Sequence, residues 1–417
     1  MTGECRAPFA ALDGKTPEAL FGGLITPCYV IDEGQLRKNA SLLGEIAART
    51  GCRWLLAQKA FSNYDCYPVL APCLAGTEAS GLFEARLGFE TLPEKEVHVF
   101  CGAYREQDFD ELLQYAGHIV FNSPAQLARL GPRARAAGKQ VGLRINPECS
   151  TQEGHEIYDP CAPGSRLGTT RAQWDRQMTP ALLDLLDGLH FHTLCEQNSD
   201  ALEVTLEAVA EKFGDVLPRM RWLNMGGGHH VTRADYDVPR LERCIRRAQR
   251  DWGVTVYLEP GEAWALNAGF LVSRVLDITE NGGVQNAILD CSAACHMPDV
   301  IEMPYRPPVY GAAEADAARP PENAAAAEAL CGHSYRLGGP SCLSGDVIGD
   351  YCFDRPLREG DMVLFGDLAI YSTCKNNTFN GMPLPQIWRR REDGTLEQLT
   401  HFGYQDFKYR LGSNNGM

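Results

Sequence analysis

Short apolar runs alternate with amphipathic stretches over residues 36–265, and this alternation constrains the fold more than any other feature of the sequence. Strands are predicted at 53–57, 97–101, 118–121, 140–145, 188–192, 221–225 and 254–259, and a weaker eighth fits at 74–79. The intervening stretches at 36–49, 107–116, 124–137, 201–213 and 236–251 have apolar residues at helical spacing. Eight strand-helix repeats over about 225 residues predict an α/β fold, a (β/α)8 barrel.

The residues on either side of this pattern differ from it in composition and in hydrophobic periodicity. Beyond about residue 265, Gly and Pro become frequent and β-type runs occur at 271–278, 284–290, 362–365 and 396–402, so 266–417 are predicted to form a mostly β domain. The Ala-rich segment 311–330 is predicted to be a surface insertion without catalytic residues. Residues 1–35 contain a strand-like run that fits either domain, and we expect them to pack with the β domain.

Charge restricts the class of partner. The chain has 39 Lys and Arg against 54 Asp and Glu, a net charge of −15. Nucleic acids and anionic membranes attract proteins with the opposite excess, so neither partner is expected. An acidic surface is compatible with a cationic small substrate.

Cysteine spacing and the absence of long apolar runs indicate the cellular compartment of the protein. The 16 cysteines are scattered, without a CxxC pair, which predicts reduced thiols rather than disulfides or a metal site. No apolar leader follows Met1, and no run approaches the roughly 20 residues of a membrane span. A soluble, cytoplasmic protein without a metal is therefore predicted.

Functional side chains of such barrels come from the C-terminal ends of the strands. Here those ends supply Lys59, Glu78, Arg144, His192, the run Gly226-Gly227-Gly228, and Glu259. Each alone has an ordinary explanation, such as a solvated lysine, a plain turn, a core histidine or a salt-bridge acid. Their joint placement at strand ends is improbable by chance.

Two of these features together predict a cofactor. Lys59 closes an apolar strand, where partial desolvation would lower its pKa and free its amine for Schiff-base chemistry. The glycine run follows the seventh strand, where N–H groups without side chains approach phosphate oxygens closely. A reactive lysine and a phosphate cradle at one barrel mouth predict pyridoxal 5'-phosphate.

The other strand-end residues suit that cofactor. A carboxylate at Glu259 would keep the pyridine nitrogen protonated, and His192 would stack on the ring. Arg144 would anchor the cofactor or pair with a carboxylate such as Glu78. In the β domain, GGPSCLSGD contributes Cys342 as a functional thiol, and Tyr371 in GDLAIYSTC would reach the phosphate or pack in the domain interface.

The ordered set QKAF, FHTLCE, GGG, EPG, GPSC and GDLAIY resembles the fold-type III pyridoxal-phosphate decarboxylases, the group of ornithine and diaminopimelate decarboxylases with an alanine racemase-like barrel. The match runs from about residue 26 to 381. Within the group, TPCYVID, ACHMPDVIEMPYRP, CLSGDVIGDY and STCKNNTFNG resemble the carboxynorspermidine (carboxyspermidine) decarboxylase branch of polyamine biosynthesis. Diaminopimelate decarboxylase and a catalytically inactive regulatory homologue remain the alternatives.

The resemblance implies roles for these residues. It implies that Lys59 carries the cofactor, that the glycines and Tyr371 bind its phosphate, and that the protein is a homodimer in which Cys342 enters the neighbouring site. Relatives usually continue EPG with Arg, whereas this chain has Glu262. An acid there weakens the diaminopimelate interpretation and suits the ammonium groups of a carboxylated polyamine. The predicted substrate-binding acids are Glu262, Asp299, Asp346 and, as a competing candidate, Asp290.

Overall fold

The computed structural model describes residues 8–152, 158–314 and 332–412. The chain divides into two compact units. Arg37–Trp264 form the first, which we call the barrel unit. Met1–Leu36 and Ala265–Met417 form the second, which we call the sheet unit.

The barrel unit contains a closed barrel of eight parallel strands, each paired with its neighbours in the chain. Strand β1 (Cys28–Asp32) precedes it, and the barrel strands are β2 (Arg53–Ala57), β3 (Gly76–Ala79), β4 (Glu96–Phe100), β5 (His118–Phe121), β6 (Gln140–Arg144), β7 (Gly188–His190), β8 (Trp222–Asn224) and β9 (Thr255–Leu258). The predicted (β/α)8 barrel is confirmed, including the weaker eighth strand, which is β3.

The helices begin and end at residues suited to those positions. They are α1 (Pro17–Phe21), α2 (Glu33–Thr50), α3 (Tyr67–Leu70), α4 (Leu82–Thr91), α5 (Glu106–Tyr115), α6 (Pro124–Ala136), α7 (Arg171–Gln177), α8 (Pro180–Leu183), α9 (Ser199–Phe213), α10 (Val238–Trp252) and α11 (Glu262–Ala265). Ser123 caps α6 by accepting from the Gln126 N–H. Asp237 caps α10, which ends at Gly253 with a φ of 70°.

Part of the barrel interior is polar. Nε2 of His98 lies 3.0 Å from Glu96, and the His98 and His118 rings stack 3.8 Å apart with planes 10° from parallel. These three side chains are of the kinds that ligate metal ions. Parallel rings at this spacing do not direct their nitrogen lone pairs at one point, as a tetrahedral metal requires. Burial lowers the pKa of His118 to about 2, which keeps its imidazole neutral.

The sheet unit contains a nine-stranded, mostly antiparallel sheet. Its later strands are β10 (Gly269–Asn281), β11 (Val284–Leu289), β12 (Ala312–Glu314), β13 (His333–Gly338), β14 (Val347–Phe353), β15 (Met362–Gly366), β16 (Gln386–Arg390) and β17 (Leu396–Gln398). The order is β12-β14-β13-β11-β10-β1-β16-β17, and β15 also pairs with β10. Short helices α12 (Ala293–His296), α13 (Asp299–Glu302), α14 (Ser372–Lys375) and α15 (Tyr404–Tyr409) complete the unit.

The sequence predicted only half of these later strands. β10, β11, β15 and β17 correspond to predicted runs, whereas β12, β13, β14 and β16 were missed. β12 lies in the segment 311–330, so at least its first residues belong to the sheet rather than to an insertion. The rest of that segment, from residue 315, lies outside the described residues.

Strand β1 lies inside the sheet, between β10 and β16. It runs antiparallel to β10 and parallel to β16, and all five of its residues are buried. Arg390 on β16 reaches Asp32 on β1 at 2.8 Å. The N-terminal residues 28–32 are thus an interior part of the sheet unit.

Thirteen described cysteines are free thiols. Cys352 is disulfide-bonded. The prediction of uniformly reduced thiols is therefore wrong at Cys352. Within the described ranges, none of the helices combines the length and the hydrophobicity needed to cross a bilayer.

Candidate active site

Polar side chains collect at the C-terminal rim of the barrel. Arg144 and His190 are the last residues of β6 and β7, Glu78 is in β3, and Glu259 directly follows β9. Because all eight strands are parallel, these ends meet at one rim, where barrel enzymes carry their chemistry. The barrel unit thus brings together the strand-end residues that the sequence singled out.

Glu259 is a buried carboxylate held by two donors. Its side chain accepts from Nδ2 of Asn224 at 2.5 Å and from Nε2 of His190 at 3.2 Å. Burial opposes ionisation, but the interactions with His190 and Asn224 outweigh it and hold the pKa of Glu259 below its usual value. The rim therefore contains one firmly ionised acid.

His190 and Asn224, which hold the Glu259 carboxylate, were not singled out from the sequence. Burial lowers the pKa of His190 despite the neighbouring Glu259, so the ring is neutral and donates its Nε2 proton. Asn224 also accepts from the N–H of Gly226 at 2.9 Å. Both are the last residues of barrel strands, and that position was the available signal.

Glu78 has the opposite protonation state. Its side chain is 5% exposed, and burial together with the negative charge of Glu259 raises its pKa well above the usual range. The rim therefore holds a neutral acid beside a charged one, an arrangement that separates the roles two carboxyl groups can play.

Arg144 is buried but remains charged. Nη2 donates to the carbonyl oxygen of His192 at 3.0 Å, and the guanidinium lies 4.5 Å from the centre of the Phe100 ring. Burial lowers its pKa to about 10, still far above neutral pH. Within the described part of the chain Arg144 has no ion pair with Glu78, so it is anchored by a carbonyl and a ring instead.

His192 is oriented by the glycine run. Its Nδ1 accepts from the N–H of Gly227 at 2.8 Å. Burial, with the positive charges of Lys59 and Arg144, holds the pKa of His192 well below the usual range. The ring is thus neutral and fixed, as a residue that stacks on an aromatic cofactor needs to be.

The three glycines are required by close packing. Gly226 and Gly228 have φ values of 68° and 78°. A Cβ on the three residues would lie 2.0 to 2.5 Å from a carbonyl oxygen, belonging in turn to Phe191, Glu259 and Leu194. Side chains are therefore excluded for structural reasons alone, whatever else the run binds.

The N–H groups of this run are partly engaged by the protein itself. Gly226 donates to Asn224, and Gly227 donates to His192. Within the run, a phosphate contact through a main-chain N–H therefore stays a prediction for Gly228.

Lys59 follows β2 by two residues, and its side chain is exposed. The sequence predicted that Lys59 would be partly desolvated at the strand end, and the structure instead leaves the residue exposed. Its positive charge nevertheless acts on two rim residues. It partly opposes the rise in the pKa of Glu78, and it contributes to the fall in the pKa of His192. Lys59 thus belongs electrostatically to the rim.

Glu262 begins α11 and pairs with His230. The Oε2 of Glu262 lies 2.7 Å from Nε2 of His230, and both side chains are about nine-tenths buried. Burial disfavours the imidazolium, but the bond to Glu262 raises the pKa of His230 overall. Glu262 thus already has a cationic partner, a residue that the sequence analysis did not single out.

In the sheet unit, Cys342 and Asp346 belong to one loop. Cys342 is exposed, and its thiol donates to Oδ1 of Asn380 at 2.9 Å. Asp346 is buried and accepts from the hydroxyls of Ser292 and Ser341 at 2.8 and 2.6 Å. These contacts suit an acid that shapes the loop of Cys342, and substrate binding by Asp346 stays a prediction.

The two other candidate acids also have partners. Asp290 accepts from Thr26, Ser273 and the N–H of Arg274. Asp299 pairs with the ammonium of Lys375, which also contacts Glu302. Lys375 thus contacts two acids, Asp299 and Glu302.

Tyr371 is the remaining predicted site residue. It is half-buried and has a φ of 54°, a conformation that is uncommon for a residue with a side chain. Backbone strain of this kind persists where the surrounding structure imposes it and often accompanies functional sites.

A sequence model described as "Pyridoxal-dependent decarboxylase, C-terminal sheet domain" matches residues 28–369, well over half of the chain. The chain belongs to the pyridoxal-dependent decarboxylase family. Its reaction class is therefore decarboxylation with pyridoxal phosphate.

Relatives within this family match over nearly their whole length. A carboxynorspermidine/carboxyspermidine decarboxylase from Campylobacter jejuni is 39% identical over 92% of this chain and 98% of its own. A carboxyaminopropylagmatine decarboxylase from Synechocystis is 40% identical over 93% and 96%. Diaminopimelate decarboxylases match more weakly, the Pseudomonas aeruginosa enzyme at 28% over 85% of each chain.

A solved structure supports the same grouping. Carboxynorspermidine decarboxylase from Campylobacter jejuni, complexed with norspermidine, has a TM-score of 0.83 and 37% identity, covering 93% of this chain and all of that one.

The rim of this pyridoxal-dependent decarboxylase suits its cofactor. The direct partners of Glu259 are a neutral imidazole and an amide, so its negative charge is available to a protonated pyridine nitrogen. Lys59 supplies an amine at the same rim, and the neutral ring of His192 is fixed for stacking. The donor set thus fits pyridoxal phosphate.

Proposed function

We propose that the enzyme removes the carboxylate of a carboxylated polyamine, carboxynorspermidine or carboxyspermidine, and releases norspermidine or spermidine. The observation that carries the proposal is the 39% identity to a decarboxylase of these substrates over nearly the full length of both chains. Lys59, Glu259 and Cys342, which the chemistry would need, are all present.

Each residue of the rim has a part in this proposal. Lys59 holds the cofactor through its amine, Glu259 keeps a proton at the pyridine nitrogen, and His192 supports the ring. When bound, the cofactor supplies an electron sink for the pair released as CO2 departs. The rim residues would hold cofactor and substrate in one fixed orientation, which would lower the barrier to loss of the carboxylate.

The thiol of Cys342 is proposed to deliver the proton that replaces CO2. Its exposure leaves Sγ open to a second copy of the chain. We therefore include in the proposal a homodimer in which Cys342 of each subunit completes the site of its partner. A cytoplasmic location is also proposed, since thirteen of the fourteen described cysteines are free thiols, which persist best in a reducing compartment, and Cys352 is the exception.

The two acids that contact Lys375 support binding of a cationic tail. Asp299 is largely buried there, and Glu302 is more exposed. A carboxylated polyamine carries several ammonium groups, which such acids would attract. Glu262 and Asp299 each have a cationic partner, but a second acid, Glu302, contacts the partner of Asp299, so we favour Asp299 over Glu262 for this role.

A second candidate substrate is carboxyaminopropylagmatine. The Synechocystis relative that carries this activity is as similar as the Campylobacter one, at 40% identity. The two substrate classes differ in whether the tail ends in a guanidinium or an ammonium group. Diaminopimelate is a weaker candidate, because its enzymes are more distant.

The deciding experiment measures CO2 release by the holoenzyme from carboxynorspermidine, carboxyspermidine, carboxyaminopropylagmatine and diaminopimelate side by side. We expect the highest kcat/KM for one of the first two. Faster turnover of either other substrate would replace the proposal by the corresponding alternative. A protein that stays colourless after addition of pyridoxal phosphate would instead indicate an inactive homologue.

A further inference from the structure

Two segments at the barrel mouth are joined by three contacts. Glu259 donates its N–H to the carbonyl of Gly226 at 2.7 Å, and the Thr232 hydroxyl donates to the carbonyl of Ala263 at 2.8 Å. Between these neutral contacts lies the His230–Glu262 pair, also at 2.7 Å. The segment that contains the glycine run is thus joined by an ion pair to the segment that follows β9.

His230 is placed so that its charge depends on Glu262. The residue is 7% exposed, and its Nδ1 is buried without a hydrogen-bond partner among the described residues. Burial disfavours the imidazolium, the contact with Glu262 favours it, and among the other charges Glu196 favours it and Arg233 opposes it. The pKa of His230 is raised overall, so a cation stands against the Glu262 carboxylate.

We propose that His230 neutralises Glu262 and thereby makes the barrel mouth compatible with the phosphate of the cofactor. The proposal rests on the placement of that phosphate at the glycine run. An unpaired carboxylate on the segment joined to the glycine run would repel a phosphate dianion bound there, and strongly so in a medium of low dielectric constant. The imidazolium cancels this charge.

His230 acts here as a positioning residue, not as a phosphate ligand. Its Nδ1 has essentially no accessible surface, and its Nε2 is occupied by Glu262. The expected effect is therefore electrostatic and passes through Glu262. The comparison of two cofactor forms distinguishes this role from a structural one, because a distorted site would weaken binding of pyridoxal and of pyridoxal phosphate alike.

The test compares two forms of the cofactor on the apoenzyme. Dissociation constants for pyridoxal phosphate and for pyridoxal are measured by fluorescence titration without substrate, and their ratio isolates the contribution of the phosphate. The variants are His230→Gln, Glu262→Gln and the double variant. Glu242→Gln is the matched control, since Glu242 is a buried acid of the same unit that pairs with Arg49 just before β2, at the opposite end of the strands.

In His230→Gln, which leaves Glu262 charged and uncompensated, we expect the preference for pyridoxal phosphate over pyridoxal to fall about tenfold or more. Glu262→Gln and Glu242→Gln should retain nearly the wild-type ratio. The double variant should recover most of what His230→Gln loses. An unchanged ratio in His230→Gln, or a double variant as weak as the single one, would overturn the proposal.

A second measurement uses the wild-type protein and does not depend on the folding of any variant. As pH rises through the raised pKa of His230, the ion pair loses its cation, so the preference for pyridoxal phosphate should decline. The pyridoxal titration corrects for the chemistry at Lys59, and the cofactor phosphate is already a dianion above about pH 7. A preference that stays constant from pH 7 to pH 10 would contradict the proposal.

Discussion

Glu78 and Glu259 are buried at the same barrel rim and differ in protonation. The negative charge of Glu259 is one of the causes that raise the pKa of Glu78, second to burial. Glu259 receives hydrogen bonds from His190 and Asn224 and keeps its charge. Burial and the charge of Glu259 thus favour the protonated form of Glu78, whereas the two donors favour the ionised form of Glu259.

The first prediction concerns Glu78→Gln and the stability of the apoprotein. A carboxyl group whose folded pKa is raised contributes stability below its unfolded pKa and loses that contribution as pH rises toward the folded value. The free energy of unfolding of the wild type should therefore fall relative to that of the variant by about 1.4 kcal/mol for each pH unit between the unfolded and folded pKa values. Urea unfolding at pH 5, 7 and 9 measures this difference. Parallel stability curves for the two proteins would show that the folded pKa of Glu78 is not raised.

The second prediction concerns Glu259→Gln. An amide does not hold a proton on the pyridine nitrogen, so kcat should fall about 100-fold or more while pyridoxal phosphate still binds. Steady-state CO2 release, together with cofactor content, measures both quantities. Asn224→Asp is a second variant for the same measurements, because it replaces the amide that donates to Glu259 with a second carboxyl group. Wild-type kcat in Glu259→Gln would remove this residue from the proposed chemistry.

The third prediction tests whether subunits share active sites. Lys59→Ala should lose the visible absorbance of lysine-bound cofactor, and Cys342→Ala should retain it while turning over slowly. When the two impaired variants are mixed in equal amounts and allowed to exchange subunits, about a quarter of all sites should regain both residues. No recovery of turnover after verified exchange would indicate that Lys59 and Cys342 act within one chain.

The fourth prediction concerns recognition of the substrate tail. Asp299→Asn should raise KM for carboxynorspermidine about tenfold with little change in kcat, because a largely buried acid would bind the substrate and not take part in bond breaking. Glu302→Gln is the matched control, since Glu302 pairs with the same Lys375 but is 57% exposed. Equal effects of the two substitutions would attribute the change to Lys375 and not to Asp299.

Periodicity was sufficient for the barrel because each strand and helix there is a local feature. The five helices predicted from apolar spacing correspond to α2, α5, α6, α9 and α10, and the strands lie within about two residues of their predicted ends. The sheet unit was harder to predict because β13, β14 and β16 mix polar and apolar residues and depend on partners distant in the chain. Only half of its later strands had a recognisable pattern.

In the candidate site, too, local features were predictable and features that depend on distant residues were not. Glu78, Arg144, His192 and Glu259 were found because strand ends are visible in the sequence. The state of each group was not predictable, because it depends on neighbours from other strands, as the pairing of Glu262 with His230 shows. Lys59 is the clearest example, since its strand is buried and its own side chain is exposed.

The central position of β1 in the sheet has a consequence for biosynthesis. Residues 28–32 leave the ribosome early, but their partners on β10 and β16 lie about 240 and 358 residues further along the chain. All residues of the barrel unit are synthesised before β10 and β16, so this unit can fold while β1 is still unpaired. Closure of the sheet is therefore a late event that needs almost the whole chain, and a nascent chain stopped before residue 386 would expose an apolar strand edge to aggregation.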